Sequence, residues 1–406
     1  MKQTAIHCAA RSVKTIVLQK LWEWGTKKLS AEELNKLLLA KDDKNETAFH
    51  HATRSGETGV LQKIWEWSTE VLSAEEINDL LLTKDDKKQT AFHRAARSGK
   101  TEVLQKIWDW SAEKLSAEEI NELFLTKDDK KQTAFHLAAR FGKTEVLQKI
   151  WEWSTEKLSA EEINELLLAK DDRNETAFHG AVLSGQTVVL QKIWEWGNEK
   201  LTPEELKSTL LLNKNVQQRT ALHLAARFGK TEVLHKIWEW STEKISAEEI
   251  NELLLAKDNR KETAFHGAVL SGQTGVLQKI WDWGNLKLSP MELKSNFLLS
   301  KNFQQRTAFH DAAQSCQTEV LQNLWEWSAE KLSVEEINEL LLTKDDKKQT
   351  PFHLATRFGK TEFLQKIWEW STEKMSAEEI KELFLAKDDR KETAFHSALL
   401  SGQTGC

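Results

Sequence analysis

The sequence contains no tyrosine, only three prolines and only three cysteines among 406 residues. Cys8, Cys316 and Cys406 are too scattered for a Cys-x-x-Cys metal site or a disulfide framework. A reducing compartment is therefore favoured, and the predicted location is cytoplasmic. Residues 1–7 lack the apolar run of a signal peptide, and no stretch approaches the roughly 20 apolar residues of a membrane span. These scarcities argue against a secreted disulfide scaffold and against membrane insertion.

An excess of positive charge is also lacking. The net charge is −6 and is spread along the chain, so no basic surface indicates nucleic-acid binding. The scarcity of proline and glycine suits a mostly helical chain, because these two residues are the poorest helix formers. Composition thus predicts an all-α soluble protein with 40% hydrophobic and 30% charged residues.

The chain does contain a repeat of about 43 residues, marked by the motif Thr-Ala-Phe-His. The motif histidines are His7, His50, His93, His136, His179, His223, His266, His310, His353 and His396. Their spacing is 43 residues, except for two spacings of 44, after His179 and after His266. All 18 tryptophans fall in pairs with the same period. Self-similarity at a fixed period of this length is typical of stacked repeat architectures.

The unit 84–126 shows how one repeat is expected to fold. Residues 90–97 predict a short helix with small residues on one face, and Gly99 is suited to the turn that follows. We expect Thr101 to cap a second helix that carries an apolar stripe and the Trp108/Trp110 pair. The sequence 116–119, Ser-Ala-Glu-Glu, predicts a capping box at the start of a third helix. Each repeat is therefore predicted to contain three helices.

The period predicts a single repeat array over 1–406, with about nine and a half tandem repeats. Residues 1–40 form a truncated first repeat and 387–406 a truncated last one. The full repeats are predicted at 41–83, 84–126, 127–169, 170–213, 214–256, 257–300, 301–343 and 344–386. Because solenoids normally need polar capping repeats, the abrupt ends predict a piece of a longer protein.

The segment 133–147, T-A-F-H-L-A-A-R-F-G-K-T-E-V-L, resembles the ankyrin repeat pattern T-P-L-H-x-A-A-x-x-G-x-x-x-V-V. Residues 350–353, T-P-F-H, carry the proline of that pattern as well. The resemblance covers essentially the whole chain and implies an ankyrin-like α-solenoid. It also implies a structural, hydrogen-bonding role for the motif histidine. Each repeat is about ten residues longer than the family's 33, and Lys88 or Asn45 stands where the family has a glycine. We therefore expect a three-helix variant with weak or irregular β-hairpin tips.

No pattern of catalytic, cofactor-binding or metal-ligating residues emerges, so the protein is predicted not to be an enzyme. The motif histidines lie one repeat apart, too far for shared ligation at zinc–nitrogen bonds of about 2.0–2.1 Å. His51 and His235 are additional, but no cysteine or histidine partner completes a site. Residues 180–187 resemble a phosphate loop, yet Gln186 replaces the required lysine and a helix precedes the turn. The Trp pairs favour core packing over a stacking platform for nucleic acid or sugars.

The candidate partner-binding surface is the end of each first helix together with the tips before the motif. In ankyrin proteins, partners are usually held there, and arginine and aromatic residues are enriched at interfaces generally. A solvated arginine row with the phenylalanines tucked under the next turn is the alternative for the helix ends. The candidate residues are Arg54, Arg97, Arg140, Phe141, Arg227, Phe228, Arg357 and Phe358, with Asp86, Lys87 and Gln89 at a tip.

The sequence favours a non-catalytic scaffold that binds a protein partner along its groove and tips. The arginines favour an acidic or phosphorylated segment of that partner. One alternative is a repeat segment of a larger effector, toxin or channel whose active part lies outside this chain. Another is a structural, self-assembling solenoid, with end-to-end association through its uncapped ends.

Overall fold

The computed structural model describes residues 3–12, 15–315 and 318–396. Within these ranges the protein is all-α, with helices in a repeated arrangement and no strand. Two compact units are present, unit 1 (Met1–Leu210) and unit 2 (Leu211–Cys406). Cys316, Cys406 and the last ten residues of the predicted final repeat lie outside the described residues. The single array predicted over 1–406, with its repeat boundaries, stays a prediction.

In unit 1, each repeat begins with a short first helix, continues with a 14-residue second helix and ends with a third. The helices are α1 (Ala5–Arg11), α2 (Thr15–Lys28), α3 (Ala31–Leu38), α4 (Ala48–Ser55), α5 (Thr58–Val71), α6 (Ala74–Leu82), α7 (Ala91–Ser98), α8 (Thr101–Lys114), α9 (Ala117–Leu125), α10 (Ala134–Arg140), α11 (Thr144–Lys157), α12 (Ala160–Leu168), α13 (Ala177–Ser184), α14 (Thr187–Lys200) and α15 (Pro203–Leu206). A π-helical turn, π1 (Lys207–Leu211), follows α15.

Unit 2 has the same order of elements. Its helices are α16 (Ala221–Arg227), α17 (Thr231–Lys244), α18 (Ala247–Leu255), α19 (Ala264–Ser271), α20 (Thr274–Lys287), α21 (Pro290–Leu293), α22 (Ala308–Gln314), α23 (Thr318–Lys331), α24 (Val334–Leu342), α25 (Pro351–Arg357), α26 (Thr361–Lys374) and α27 (Ala377–Leu385). A second π-helical turn, π2 (Lys294–Leu298), follows α21.

Local sequence accounts for most helix boundaries. The predicted capping box of the third helix is confirmed: the Glu119 N–H donates to Ser116 Oγ at 3.3 Å, and the Ser116 N–H donates to Glu119 Oε2 at 2.8 Å. The first helix α7 ends at Gly99, whose φ of 77° is the left-handed conformation that glycine adopts without strain. The prediction that Thr101 caps α8 is wrong. Lys100 is the N-cap, and the Thr101 hydroxyl donates to Glu145 Oε2 at 3.2 Å.

Small residues let the first helices of successive repeats approach closely inside each unit. In unit 1, α1, α4, α7, α10 and α13 contact one another in sequence, and in unit 2 the same holds for α16, α19, α22 and α25. Ala95 and Ala138 are fully buried. A Cβ at Gly180 would lie 3.2 Å from the backbone nitrogen of Arg140, a tight contact that would require the two helices to move slightly apart. The buried alanines on the shared face therefore allow the close approach of these helices.

The tryptophans join neighbouring repeats, because the first indole of one pair stacks on the second indole of the next. In unit 1 the centroids of Trp108 and Trp153 lie 4.9 Å apart with planes 10° apart. In unit 2 those of Trp281 and Trp327 lie 4.4 Å apart at 6°. Other stacks of this kind are Trp22–Trp67, Trp65–Trp110, Trp151–Trp196 and Trp238–Trp283. This places both indoles of a pair in the core, as the sequence favoured.

The two 44-residue repeats absorb their additional residue in the π-helical turns. A π-helix has hydrogen bonds from residue i to i+5, so one residue can be inserted without ending the helix. In unit 2, Gly284 of α20 lies against π2, and a Cβ there would be 2.6 Å from the Phe297 ring and 2.7 Å from Leu293. Most other repeats have a serine at this position, for example Ser111. The π-helical turn in the third helix therefore requires that the facing residue of the second helix lacks a side chain.

The tips preceding each motif are irregular turns. Lys88 has a φ of 57°, and Gln305 has a φ of 58°. Both side-chain-bearing residues thus occupy the left-handed region that favours glycine. Successive tips within a unit are joined by single backbone hydrogen bonds, such as the Asp86 N–H to the Lys44 carbonyl at 2.9 Å and the Asp129 N–H to the Lys87 carbonyl at 2.8 Å.

Candidate functional site

Several motif histidines form hydrogen bonds that join the first helix to the end of the third helix of the same repeat. At His136, Nδ1 accepts the Thr133 backbone N–H at 3.4 Å, which leaves Nε2 to donate to the Ala169 carbonyl at 3.0 Å. Burial lowers the pKa of His136 to about 4, so the ring is neutral at physiological pH. His93, His223 and His353 make the equivalent bonds to Thr126, Ala256 and Ala386. In these four histidines both ring nitrogens are used, in accord with a structural role.

The segment 180–187, which resembles a phosphate loop, and the equivalent segment around Gly99 are both helix ends. Gly99 and Gly185 are the left-handed C-caps of α7 and α13, with φ values of 77° and 74°. Each is followed by a second helix rather than by the loop of a strand–loop–helix unit. Glycine is favoured at both positions because its left-handed conformation lets its N–H donate to a carbonyl at the end of the helix, so no ligand is needed to explain it.

The arginine row consists of Arg54, Arg97, Arg140, Arg227 and Arg357, at the ends of first helices. Arg54, Arg97 and Arg357 are exposed, whereas Arg140 and Arg227 are half-buried. The half-buried pair bind glutamates of the next tip: Arg140 Nη1 lies 3.4 Å from Glu175 Oε2, and Arg227 Nη1 lies 3.0 Å from Glu262 Oε2. Part of the row is therefore engaged within each unit.

The phenylalanines at the neighbouring position reach solvent. Phe141, Phe228 and Phe358 are 42%, 53% and 39% exposed. In unit 1 the Arg97 guanidinium lies over the Phe141 ring, 4.9 Å from its centroid. This cation–π contact joins two repeats and holds the guanidinium in place. An exposed cation and an exposed ring thus form one continuous patch.

The three predicted tip residues differ in accessibility. Asp86 and Lys87 are exposed, and their backbone groups link the tip to its neighbours. Gln89 is buried, and its amide donates to Asp128 Oδ2 at 2.8 Å. Its side chain therefore stabilises the junction between two tips, while Asp86 and Lys87 face solvent.

A cavity of about 500 Å³ in unit 1 brings several of these residues together. Its cationic lining residues are Lys44, Arg54, Lys87, Arg94, Arg97 and Lys143. Its anionic lining residues are Glu46 and Asp86, and Phe141 supplies an aromatic wall. Arg54 and Arg94 both pair with Glu46. The four other cations have no ion-pair partner among the described residues, so the cavity carries an excess of positive charge.

A smaller cavity of about 120 Å³ continues along the same tips. It shares Lys87, Arg97 and Phe141 with the larger cavity and adds Lys130, Arg140 and Arg173. Its acids are Asp128, Asp129 and Asp172, so its charge is more nearly balanced. The excess positive charge is therefore concentrated near Arg97.

Sequence reasoning missed a buried polar cluster formed by Asp42, Glu46 and His51. His51 Nε2 lies 3.0 Å from Asp42 Oδ2 and 3.3 Å from Glu46 Oε2. The ligand atoms of the three lie within 4.8 Å of one another, a spacing that a metal ion requires. The sequence signal was weak, because acidic residues occur at most tips and only His51 distinguishes this repeat.

The hydrogen bonds around this cluster favour an ion-pair network over a metal site. Arg54 Nη2 donates to His51 Nδ1 at 2.9 Å, so His51 carries its proton on Nε2 and donates it to Asp42. Burial lowers the pKa of His51. Although burial alone raises the pKa of Asp42, the N–H groups of Lys44 and Glu46 bring it well below its usual range. A cation would displace this proton and face Arg54 and Arg94, which opposes binding.

Among the described residues, none of the helices combines the length and apolar character needed to cross a bilayer. In comparisons with known proteins, the sequence matches no family model and no curated protein.

Proposed function

We propose that this chain is a non-catalytic, ankyrin-like solenoid scaffold that binds an acidic or phosphorylated segment of a protein partner. The observation that carries the proposal is the unit 1 cavity, with its unpaired cations and the exposed Phe141 wall. The succession of contacting first helices within each unit and the Thr-Ala-Phe-His motif support the solenoid part.

The chemistry of the cavity favours an anionic ligand. Arginine and lysine form short, charge-assisted hydrogen bonds with phosphate and carboxylate oxygens, and these bonds are stronger than those between neutral groups. Arg97 is already held against Phe141, so less side-chain entropy is lost when a ligand binds. Because the whole chain carries a net charge of −6, long-range attraction does not favour polyanions in general. Recognition is thus local and suits a single charged side chain.

The test uses matched peptide pools of nine residues, each with phosphoserine, phosphothreonine, glutamate or serine at its centre. We expect the phosphorylated pools to bind the full chain about tenfold more tightly than the serine pool, measured by fluorescence anisotropy at fixed salt. The triple variant Lys87→Ala, Arg97→Ala and Lys143→Ala should abolish that preference.

The charge-matched control is Lys114→Ala, Lys157→Ala and Lys244→Ala, at the ends of second helices away from the cavity lining. This control should retain the phosphopeptide preference. Equal binding of all pools by the unmodified chain, or equal losses in the two triple variants, would rule out the cavity as the binding site. Thermal unfolding of each variant checks that the fold is intact.

Self-assembly is a second candidate function, favoured by two exposed tryptophans. Trp24 and Trp368 are 61% and 56% exposed, and neither has an indole stacking partner among the described residues. In other repeats the tryptophans at these two positions stack on an indole of a neighbouring repeat, as Trp110 does on Trp65 and Trp108 does on Trp153. If copies associate through these faces, sedimentation velocity should show mass increasing with concentration, and Trp24→Ser should abolish the increase. A monomer at all concentrations excludes this function and leaves the scaffold proposal standing.

A further inference from the structure

Unit 2 contains a buried carboxylic acid with one oxygen that lacks a hydrogen-bond partner among the described residues. Asp311 follows the motif His310 on α22 and is only 3% exposed. Its Oδ2 has no hydrogen-bond partner among the described residues. Such an atom costs about 1–3 kcal/mol when it is left without a partner, so its presence requires an explanation.

Asp311 lines a cavity of about 330 Å³ in unit 2. Glu262 and Leu270 of the preceding repeat lie in the same lining, together with Gln314 and Ser315 at the end of α22. The unsatisfied carboxyl therefore borders a space large enough for a side chain. A buried acceptor without a partner that borders an open cavity is the arrangement expected of a site that receives a hydrogen-bond donor.

The equivalent position in unit 1 identifies the kind of donor. Arg94 follows the motif His93 there, and its guanidinium pairs with Asp85 of its own tip and with Glu46 of the preceding tip. Glu262 and Asn302 are the corresponding tip residues in unit 2, and Asn302 Nδ2 donates to Glu262 Oε1 at 3.3 Å. The space between two successive tips is thus bridged by the Arg94 guanidinium in unit 1, whereas in unit 2 it is lined by the carboxyls of Asp311 and Glu262.

Two of the three arginines that line the cavity are paired with other acids. Arg227 pairs with Glu262 at 3.0 Å, and Arg306 Nε pairs with Asp345 Oδ2 at 3.1 Å. Arg306 also donates to Gln314 Oε1 at 2.7 Å. Arg260 is exposed at the rim of the cavity. Burial raises the pKa of Asp311 to about 7, with Glu262 and Asp345 acting in the same direction and Arg306 and Arg227 opposing it.

We propose that this cavity binds an arginine side chain of a partner, whose guanidinium donates hydrogen bonds to Asp311 and Glu262. The inference does not depend on the phosphopeptide site of unit 1, since it rests on different residues in a different unit. A planar guanidinium fits two carboxyls better than an ammonium does, because its N–H groups form a fixed fork. Leu270 in the lining suits the apolar stem of the same side chain.

Proton release should accompany binding. The guanidinium favours the ionised carboxylate, so the proton on Asp311 passes to solvent when the ligand enters. Affinity should therefore fall as pH decreases through 7. Between pH 8 and pH 6 the ionised fraction of a group that titrates at 7 falls about tenfold, and affinity should fall by a similar factor.

The experiment titrates the full chain with the capped pentapeptide Gly-Gly-Arg-Gly-Gly and with its citrulline counterpart, in a calorimeter at pH 6 and pH 8. Citrulline keeps the shape of the side chain but lacks its charge. We expect the arginine peptide to bind at least about tenfold more tightly than the citrulline peptide at pH 8, and to lose about tenfold at pH 6.

Two variants decide whether Asp311 is responsible. Asp311→Leu introduces leucine, which occupies the equivalent position in three other repeats as Leu137, Leu224 and Leu354. Asp311→Asn keeps the shape of the side chain but removes its charge. Both should lose the arginine preference and its pH dependence while unfolding at or above the temperature of the unmodified chain. The proposal is overturned if either variant binds the arginine peptide as the parent does. It is equally overturned if arginine and citrulline bind alike, in which case Asp311 simply retains its proton.

Discussion

The repeats 84–126 in unit 1 and 301–343 in unit 2 share a backbone frame but differ in charge at one buried position. Both begin their first helix with a threonine that contacts the motif histidine, and both have a left-handed residue at the tip. The residue after the histidine is Arg94 in one and Asp311 in the other. The repeat therefore fixes where a polar side chain lies, while neighbouring tips determine which charge that side chain meets.

The largest difference between the two repeats should appear when both positions become leucine. Arg94→Leu leaves Asp85 buried without its guanidinium and Glu46 with Arg54 as its remaining one, and removing one partner of a buried ion pair costs about 3 kcal/mol. Asp311→Leu removes an unsatisfied acid and should raise stability at pH 8. Urea unfolding of both variants measures the effects, and two changes of the same sign would contradict the contrast.

A second contrast separates the 43-residue repeats from the 44-residue repeats. Gly284→Ser places a Cβ against Phe297 and Leu293 and should destabilise unit 2 by about 2 kcal/mol through overpacking. The reciprocal change Ser111→Gly should cost about 1 kcal/mol, from helix propensity and the lost bond between Ser111 Oγ and the Ile107 carbonyl.

Relief of the Gly284→Ser clash provides the control for this contrast. Adding Phe297→Leu, with leucine as at the equivalent Leu210, should recover part of the lost stability because the smaller side chain relieves one of the two close contacts. Denaturant midpoints for the single and double variants give the comparison. If the single variant unfolds like the parent, the glycine is not required by the π-helical turn.

The pH dependence of stability should sharpen the contrast at Asp311. Its pKa is about 7 in the folded chain and near 3.8 when unperturbed, so between these values the folded state binds a proton that the unfolded state lacks. The carboxyl therefore contributes stability below pH 4 that is lost as pH rises through 7. Relative to the parent, Asp311→Asn should gain about 1 kcal/mol per pH unit over that interval. Parallel stability curves for the two proteins would show that Asp311 titrates normally.

The smallest effect is expected at the tips, where the two repeats agree. Lys88→Gly and Gln305→Gly each remove the strain of a side chain in the left-handed region, which costs about 1 kcal/mol. The greater freedom of glycine in the unfolded chain offsets part of the gain, so a net stabilisation of about 0.5 kcal/mol is expected. Thermal unfolding of both variants, with Lys87→Gly as the control at a neighbouring tip position, checks the prediction.

Local sequence was sufficient to predict the helical repeats. The period, the serine–glutamate capping box and the turn at Gly99 each depend on residues within a few positions of one another. Thr101 failed as a predicted cap because α8 begins one residue earlier than the hydroxyl requires. The π-helical turns were not predicted, because a loop could accommodate the additional residue equally well. Only the contact between Gly284 and the third helix distinguishes the two possibilities.

Contacts between repeats were harder to predict. Which indole stacks on which depends on residues about 45 positions apart, and the sequence indicated only that the Trp pairs favour core packing. The cluster around His51 and the environment of Asp311 likewise depend on tips that are brought together by stacking. The contact of Phe141 with Arg97 and the ion pair of Arg140 with Glu175 each join two repeats, so the sequence of a single repeat does not predict them.

The stacked tryptophans provide the protein with optical reporters of its own junctions. Each stack takes one indole from each of two neighbouring repeats, as in Trp65–Trp110 and Trp281–Trp327. Nearly parallel aromatic rings at this distance couple their electronic transitions, so each stack contributes to near-ultraviolet circular dichroism only while its junction is closed. Replacing one indole at a time would assign that signal to a particular junction. The order in which junctions open on heating could then be followed without any added label.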